Sequence, residues 1–378
     1  MSGAVLDTKE FIPPPPGEKL GHPRALWMLF GAEFWERFCY YGMRALLAVY
    51  VAAQFFAHLP AGEAKAQASL TYGGYTSLVY ATGILGGMIA DRYLGYQRSI
   101  ILGGLLMAVG CFMLLSPEIH LFLIGLAVIV AGNGLFKPNI STMVGKLYAP
   151  GDVRRDSGFT IFYMGINAGA FVAPLITAVW IGANYGYKYG FLAAAIGMIF
   201  GIAVFQVRKG MLGHVGKSPA GREGWGPVLN VLVGAILLVP VIYFLLSQSE
   251  ILGVVLLALF AGLAVYLIWS GYSETSVQGQ KYIAMFLLFT ANILFWALFE
   301  QAGASLNFLA QDHVNAPFHF TLFQSANPLF IVLLAPVFAM MWPWLDKMNM
   351  NPSIPRKFAI ALIGMAAGFA LLVFALKN

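Results

Sequence analysis

The chain has 378 residues, of which 60% are hydrophobic and only 10% are charged, and its mean hydropathy is +0.77. These values exclude an ordinary soluble domain and indicate an integral membrane protein. The net charge of +6 does not predict nucleic-acid binding, because the Lys and Arg residues are scattered through short loops without a basic stripe. Cys39 and Cys111 both lie in apolar segments, so we expect no disulfide framework, no metal site and no cofactor.

The N-terminal segment includes four consecutive prolines. It has neither the apolar run nor the small-residue cleavage site of a secretory signal peptide. We expect residues 1–23 to form a disordered cytoplasmic tail.

Eleven apolar runs of about 20 residues predict eleven membrane-spanning helices and therefore an all-α, polytopic membrane protein. The runs lie near residues 26–56, 69–90, 96–115, 120–145, 158–182, 187–206, 226–247, 251–271, 281–309, 321–344 and 358–376. Most Lys and Arg residues fall on the same side as the N-terminus, which the positive-inside rule assigns to the cytoplasm. The ionisable residues that remain inside the predicted spans are Arg37, Arg44, Lys137, Glu33, Glu36 and Glu300.

The polar residues of the first predicted span share one helix face. At about 100° per residue, an arc of roughly 140° holds Glu33, Glu36, Arg37, Tyr40, Tyr41 and Arg44. Glu33 and Arg37 are spaced as an i,i+4 ion pair, whereas Arg44 has no matching acid on the stripe. A structural ion pair between helices is one reading. Six polar residues on one face favour a second interpretation, in which the helix lines a hydrated cavity that binds an anion and takes up protons.

The segment EFWERFCYYG, residues 33–42, with Arg44 behind it, resembles the first-helix motif of the proton-dependent oligopeptide transporter family, a branch of the major facilitator superfamily. The resemblance implies that superfamily's fold, in which two six-helix bundles rock around a midplane site, and it implies a transporter, not an enzyme. It also implies proton-coupled symport of di- and tripeptides across the cytoplasmic (inner) membrane. The expected divisions are a first bundle over 24–208, a cytoplasmic linker over 209–224, a two-helix insertion over 225–273 and three helices of the second bundle over 274–378.

The segment GGMIADRYLGYQRS, residues 86–99, ends the second predicted span in a charged turn. It resembles the superfamily's loop motif between helices 2 and 3. The resemblance implies that Asp91, Arg92 and Arg98 latch helix ends of the two halves in one conformation. The alternative is that they are ordinary interfacial anchors.

The segment AGNGLFKPNIS, residues 131–141, places Lys137 beside Pro138 inside the fourth predicted span. Proline removes a backbone donor and opens the helix, so Lys137 and nearby carbonyls can line a cavity. A lysine that snorkels to the interface is the alternative. By resemblance, Lys137 meets the C-terminal carboxylate of a peptide.

The segment FYMGINAG, residues 162–169, by itself predicts a helix that packs closely through small residues. The resemblance implies that Tyr163 and Asn167 face the cavity and that Asn167 binds the peptide backbone. Tyr80 is assigned to the site on the same basis.

Glu300 lies deep in the ninth apolar run, one turn after Trp296. An isolated glutamate in lipid would simply protonate, so a neutral structural glutamate is the alternative to a functional one. The resemblance makes Glu300 a proton-linked partner of Lys137. The segment FQSANP, residues 323–328, resembles a family pattern in which Asn327 binds peptide amides.

Two residue sets follow from these patterns and from the resemblance. The proton-coupling set is Glu33, Glu36, Arg37, Lys137 and Glu300. The peptide-binding set is Tyr40, Tyr41, Arg44, Tyr80, Lys137, Asn167, Trp296, Glu300 and Asn327. The expected partners are small peptides, protons and the lipid bilayer, and we expect a monomer.

The resemblance is incomplete, because removing the predicted insertion leaves nine core spans where the superfamily uses twelve. The missing triplet needs roughly 80 to 100 further residues. The sequence favours a truncated chain or a gene fragment, and the alternative is that a partner supplies the rest. Two alternatives to peptide symport stay open. One is transport of another small anion or drug in the same superfamily, and the other is a non-transporting peptide-binding scaffold. An intramembrane enzyme is disfavoured by the lack of HExxH and GxSxG motifs.

Overall fold

A computed structural model describes residues 13–15 and 17–377, and almost all of them are helical. Two short strands, β1 (Glu18–Lys19) and β2 (His22–Pro23), precede the helices. The helices are α1 (Arg24–Gln54), α2 (Ala61–Ile89), α3 (Tyr96–Met113), α4 (Ile119–Lys146), α5 (Arg155–Pro174), α6 (Ala183–Tyr185), α7 (Tyr187–Arg208), α8 (Gly226–Ser247), α9 (Ser249–Glu274), α10 (Ser276–Phe299), α11 (Ser305–His313), α12 (Ala326–Lys347) and α13 (Ile354–Lys377). Wider π-helical turns extend α2 (Ala90–Leu94) and α5 (Leu175–Gly182), and 3₁₀ turns cover Lys209–Leu212, Glu300–Gly303 and Phe320–Ser325.

The end of the N-terminal segment is ordered, so the expected disorder is wrong there. Strands β1 and β2 pair antiparallel, and the His22 side chain is buried with its Nδ1 atom 2.8 Å from the Tyr148 hydroxyl. Arg154 also donates a hydrogen bond of 2.7 Å to Glu18. These contacts fix the hairpin on the loop between α4 and α5. Residues 1–12 of the expected tail lie outside the described residues.

Nine helical segments in the described part of the chain are long and apolar enough to cross a membrane. They begin with α3 and include every later long helix of the chain. Helices α1 and α2 have 31 and 29 residues, also enough to span a bilayer, but they are more polar. Each of the eleven predicted runs overlaps a long helix in the structure, and the two polar ones carry much of the site.

Close helix packing in the first half of the chain depends on glycine. Helix α4 packs against both α2 and α3, and α1 packs against α5 and α7. A methyl group placed on Gly86 of α2 would lie 1.8 Å from the carbonyl oxygen of Gly134. One placed on Gly103 of α3 would lie 2.5 Å from the carbonyl oxygen of Gly132. The backbones therefore approach to a distance that side chains larger than hydrogen do not permit.

The ninth apolar run is not one continuous helix, which corrects the expectation of a span over 281–309. Helix α10 ends at Phe299, a 3₁₀ turn follows over Glu300–Gly303, and α11 starts only at Ser305. Gly303 lies against Tyr72 of α2, where a methyl group would come within 2.2 Å of the tyrosine hydroxyl. The break therefore places the turn that carries Glu300 directly on α2.

The remaining helices pack around this arrangement. Helix α8 packs against α4 and α2, α9 against α10, α12 against α5, and α13 against α10. The division into two bundles, a linker and an insertion stays a prediction.

Candidate functional site

Three charged side chains of α1 are buried together. Glu33, Glu36 and Arg37 are between 0% and 3% exposed. The Arg37 Nε atom lies 3.0 Å from a Glu33 carboxylate oxygen, which confirms the predicted i,i+4 pair, and it also donates to Glu36. Buried charges need partners because an unpaired ion in a medium of low polarity is costly.

Asn133 of α4 completes this group, and the sequence analysis did not select it. Its side-chain nitrogen donates a hydrogen bond of 3.1 Å to Glu36, and the residue is 1% exposed. We call Glu33, Glu36, Arg37 and Asn133 the α1 cluster. The position of Asn133 one helical turn before Lys137 was the signal in the sequence, because residues four apart share a helix face.

A second group joins three separate helical segments. The Arg44 Nη2 atom of α1 lies 2.9 Å from Glu300, and the Tyr72 hydroxyl of α2 donates to the same carboxylate oxygen at 3.0 Å. Arg44 also donates from Nε to the Tyr72 hydroxyl at 2.5 Å. We call these three residues the Glu300 cluster. Arg44 has no matching acid on its own stripe, as expected, but it is paired because Glu300 comes from a distant segment.

Lys137 lies between the two clusters without joining an ion pair with any described residue. Its ammonium group sits over the Tyr80 ring, 4.1 Å from the centroid, and the Tyr80 and Trp296 rings are 5.9 Å apart. Lys137 forms no ion pair with Glu300 in this conformation, because Arg44 and Tyr72 hold that carboxylate, and the proton-linked partnership stays a prediction. Lys137 is still within electrostatic range of the carboxylates of both clusters. A cation–π contact is weaker than an ion pair, so Lys137 can bind an incoming anion.

The α1 tyrosines lie beside the two arginines. Tyr40 packs under Arg37 and Tyr41 under Arg44, with guanidinium-to-ring distances of 5.3 and 5.6 Å. The Tyr40 hydroxyl is buried and has no hydrogen-bond partner among the described residues. Both tyrosines therefore line the same polar stripe that the sequence predicted.

The two asparagines expected to bind peptide amides form no hydrogen bond with either cluster in the described part of the chain. Asn167 is buried and its side-chain nitrogen donates to the carbonyl of Tyr163, one turn earlier on α5. Asn327 is exposed near the start of α12, and no contact with the clusters is seen. The structure does not bring either amide to Glu300, and their roles stay predictions.

The charged turn after α2 contacts the linker that leads to α8. Asp91 accepts a hydrogen bond from Tyr96, and Arg92 is exposed. Arg98 donates to the carbonyl oxygens of Gly224 at 2.7 Å and Arg222 at 3.2 Å, and also to that of Glu223. Arg98 therefore ties the turn to the linker in this conformation.

Further contacts join α1 and α2 to α11 and to the 3₁₀ turn before α12. Asn307 of α11 donates 3.1 Å to the carbonyl oxygen of Ala45, and Gln324 donates to the same oxygen at 3.3 Å. Lys65 of α2 forms an ion pair with Asp312 of α11. No sequence pattern pointed to Lys65 and Asp312, because both lie near ends of helices, where charges are common.

Sequence comparison decides the family of the chain. A sequence profile of the POT family, PTR2, matches residues 97–377. The chain belongs to the POT family. It is similar to the peptide transporter YePEPT of Yersinia enterocolitica subsp. palearctica, with 36% identity over 386 residues, 95% of this chain and 75% of the relative. The di-/tripeptide transporter of Lactococcus lactis subsp. lactis is 38% identical over 388 residues, covering 95% and 76% of the two chains.

Solved structures of POT family transporters have the same fold. The crystal structure of peptide transporter POT in complex with sulfate matches with a TM-score of 0.79 and 38% identity, over 96% of this chain and 76% of that one. A POT family transporter in complex with 5-aminolevulinic acid matches with a TM-score of 0.81 and 32% identity, over 96% and 78%. The predicted family and the predicted all-α transporter fold of the major facilitator type are confirmed.

Proposed function

We propose that this POT family chain is a proton-coupled symporter of di- and tripeptides that works by alternating access. The observation that carries the proposal is the pairing of Arg44 with Glu300 while Lys137, within electrostatic range, has no carboxylate partner among the described residues. The relatives named peptide transporter and di-/tripeptide transporter support the choice of substrate.

A short peptide is a zwitterion, so its binding site needs a cation for one end and an acceptor for the other. Lys137 supplies the first cation, because its ammonium group rests only on the Tyr80 ring. Arg44 supplies a second once Glu300 leaves it. Tyr40, Tyr41 and Trp296 add ring faces and hydroxyl groups that accept varied side chains.

The proton enters through the exchange of partners at Arg44. The substrate carboxylate displaces the Glu300 carboxylate from the Arg44 guanidinium, and Glu300 then binds a proton as a neutral carboxylic acid. The charge on Arg44 stays balanced throughout, since one carboxylate replaces the other. Release of the peptide on the far side reverses both steps, so the proton and the peptide cross together.

Alternating access follows if the helices that carry Arg44 and Glu300 rock against each other around this site. In the present conformation Asn307 and Gln324 hold α11 and the 3₁₀ turn before α12 on α1, and this part of the site is closed. We place the protein in the cytoplasmic membrane with its N-terminus in the cytoplasm, so that this closed part faces outward. We expect a monomer, because each cluster is complete within one chain.

The test is uptake by purified protein in liposomes with an inward proton gradient. A radiolabelled di- or tripeptide should accumulate, and a protonophore should abolish the accumulation. Glu300→Gln should remove gradient-driven accumulation while peptide exchange between the two sides persists. Normal accumulation by Glu300→Gln would exclude Glu300 from proton coupling.

The alternatives give different outcomes in the same liposomes. Excess 5-aminolevulinic acid, sulfate or nitrate that competes with the peptide and is itself accumulated would indicate transport of another small anion or drug. Tight peptide binding without uptake would indicate a peptide-binding scaffold. Accumulation of peptides alone supports the proposal.

A further inference from the structure

The two carboxylates that contact Arg37 are held unequally. Both oxygens of Glu36 are engaged, one by Arg37 and the other by Asn133. Glu33 has one oxygen on Arg37, and its Oε2 atom is buried with no hydrogen-bond partner among the described residues. The α1 cluster is therefore asymmetric around its arginine.

Displacing the two carboxylates breaks different numbers of contacts. Moving Glu36 away from Arg37 also leaves the buried side-chain nitrogen of Asn133, which is 1% exposed, with only a weak 4.0 Å contact to the Met107 sulfur among the described residues. Moving Glu33 breaks one contact and strands no other described side chain. Since an unsatisfied buried polar group is costly, Glu33 is the carboxylate that leaves more readily.

We propose that Asn133 is a positioning residue that fixes Glu36 as the standing partner of Arg37, so that Glu33 is the member of the α1 cluster that exchanges protons. The proposal deepens the proposed proton-coupled function and rests on it for its meaning in transport. The proton forms an O–H bond at the free Glu33 Oε2 atom, and Glu33 then leaves Arg37 as a neutral acid. Arg37 keeps Glu36, so it never becomes an unpaired buried charge.

A second feature of the cluster agrees with a site for proton exchange at this position. The Arg37 Nη2 atom and the Asn133 Oδ1 atom are also buried without a hydrogen-bond partner in the described structure. A donor and two acceptors left free in one cluster are the groups that a water molecule can bridge. Such a water would connect the free oxygen of Glu33 to the rest of the cluster.

Infrared difference spectroscopy of the reconstituted full chain tests the proposal without any peptide. Acidification produces the C=O stretch of protonated carboxyl groups. We expect Glu33→Gln to remove part of this signal and Glu36→Gln to leave it unchanged. In the Asn133→Leu background, Glu36→Gln should now remove signal as well, because Glu36 is no longer fixed. Equal losses from both single glutamine variants, or no effect of Asn133→Leu, would overturn the proposal.

Asn139→Leu is the matched control. Asn139 is a second buried asparagine of α4, but its side-chain nitrogen donates only to the backbone oxygens of Gly86 and Leu135. The Asn139→Leu variant should leave the assignment of the C=O signal to Glu33 unchanged, with size-exclusion chromatography used to check that the variant is folded. For gradient-driven uptake, Asn133→Leu should cost about tenfold, the effect of one hydrogen bond to a charged group. A wild type that transports no peptide refutes the proposed function alone, since the infrared result does not depend on transport.

Discussion

Arg44 and Glu300 are separated by 256 residues of sequence, and their side chains lie 2.9 Å apart. The Tyr72 hydroxyl contacts both of them, so α1, α2 and the turn after α10 meet at one oxygen atom. Any movement of α10 away from α1 must break this contact. The state of the Glu300 cluster therefore reports the conformation of the protein.

Arg44→Lys tests the geometry of this contact while keeping the charge. Arg44 uses Nη2 for Glu300 and Nε for Tyr72, a fork that a single ammonium group does not reproduce. We expect gradient-driven peptide uptake to fall at least about tenfold. Arg208→Lys, at the end of α7, is the control. Equal uptake by the two variants would mean that charge alone suffices at position 44.

Tyr72→Phe removes one hydroxyl group from the Glu300 cluster. The loss of its hydrogen bonds should lower uptake by about three- to tenfold. Tyr75→Phe is a close control three residues along the same helix, because the Tyr75 hydroxyl is buried with no partner in the described residues. That variant should have the same or a slightly higher melting temperature, measured in detergent. A loss of uptake in both variants would point to a general effect of the helix.

Gly303→Ala should displace the turn that carries Glu300. The added methyl group would come within 2.2 Å of the Tyr72 hydroxyl, so the turn or the tyrosine must move. We expect a lower melting temperature and reduced uptake. Gly364→Ala is the control, because its methyl group meets no atom within 4 Å and alanine favours the α13 helix by about 0.5 to 1 kcal/mol. A neutral Gly303→Ala would indicate that the turn adjusts freely.

The ion pair between Lys65 and Asp312 tests the closed end of the molecule. Both side chains are about one third exposed, at 33% and 34%, so the pair adds little to stability. Asp312→Asn should leave the melting temperature unchanged within error. A Lys65→Cys, Asp312→Cys double variant joined by a short thiol cross-linker should stop uptake, and cleavage of the linker should restore it. Uptake that continues in the cross-linked protein would show that this end does not open.

The N-terminal hairpin should loosen when Arg154 is replaced. Arg154 donates to Asp152 as well as to Glu18, and its side-chain and backbone hydrogen bonds to Asp152 lower the pKa of that carboxyl. A carboxyl with a lowered pKa stabilises the folded contact above its ordinary pKa, and the contribution is lost as the pH falls through the lowered value. Arg154→Gln should raise hydrogen exchange of residues 18–23 at neutral pH. The wild type should show the same increase only in acid, and equal exchange in both proteins would contradict the role of Arg154.

The sequence predicted the helices and much of the stripe on α1, because apolar run length and a 3.6-residue period are local properties. Glu33 and Arg37 lie within one turn, so their pairing follows from local geometry. The partner of Arg44 depends on how distant helices pack, which no local pattern contains. For the same reason the sequence analysis missed Tyr72, whereas Asn133 had a local signal in its position one turn before Lys137.

The break after α10 could not be predicted from hydropathy. The run from residue 281 to residue 309 is apolar on both sides of Glu300, and it contains only one glycine after that residue, Gly303. At this break Gly303 packs so closely on Tyr72 that an added methyl group would lie 2.2 Å from the tyrosine hydroxyl. Tertiary contact here overrides a local preference for a continuous helix.

A carboxylate at the end of a broken helix differs mechanically from one in the middle of an intact helix. Glu300 begins the 3₁₀ turn, and the backbone leaves helical geometry at Ala304 only four residues later. The segment between them can pivot without breaking a full ladder of backbone hydrogen bonds. Under the proposed mechanism, the change of charge at Glu300 would therefore occur where α10 gives way to α11, the place at which the two helices can change their relative orientation with few backbone hydrogen bonds broken.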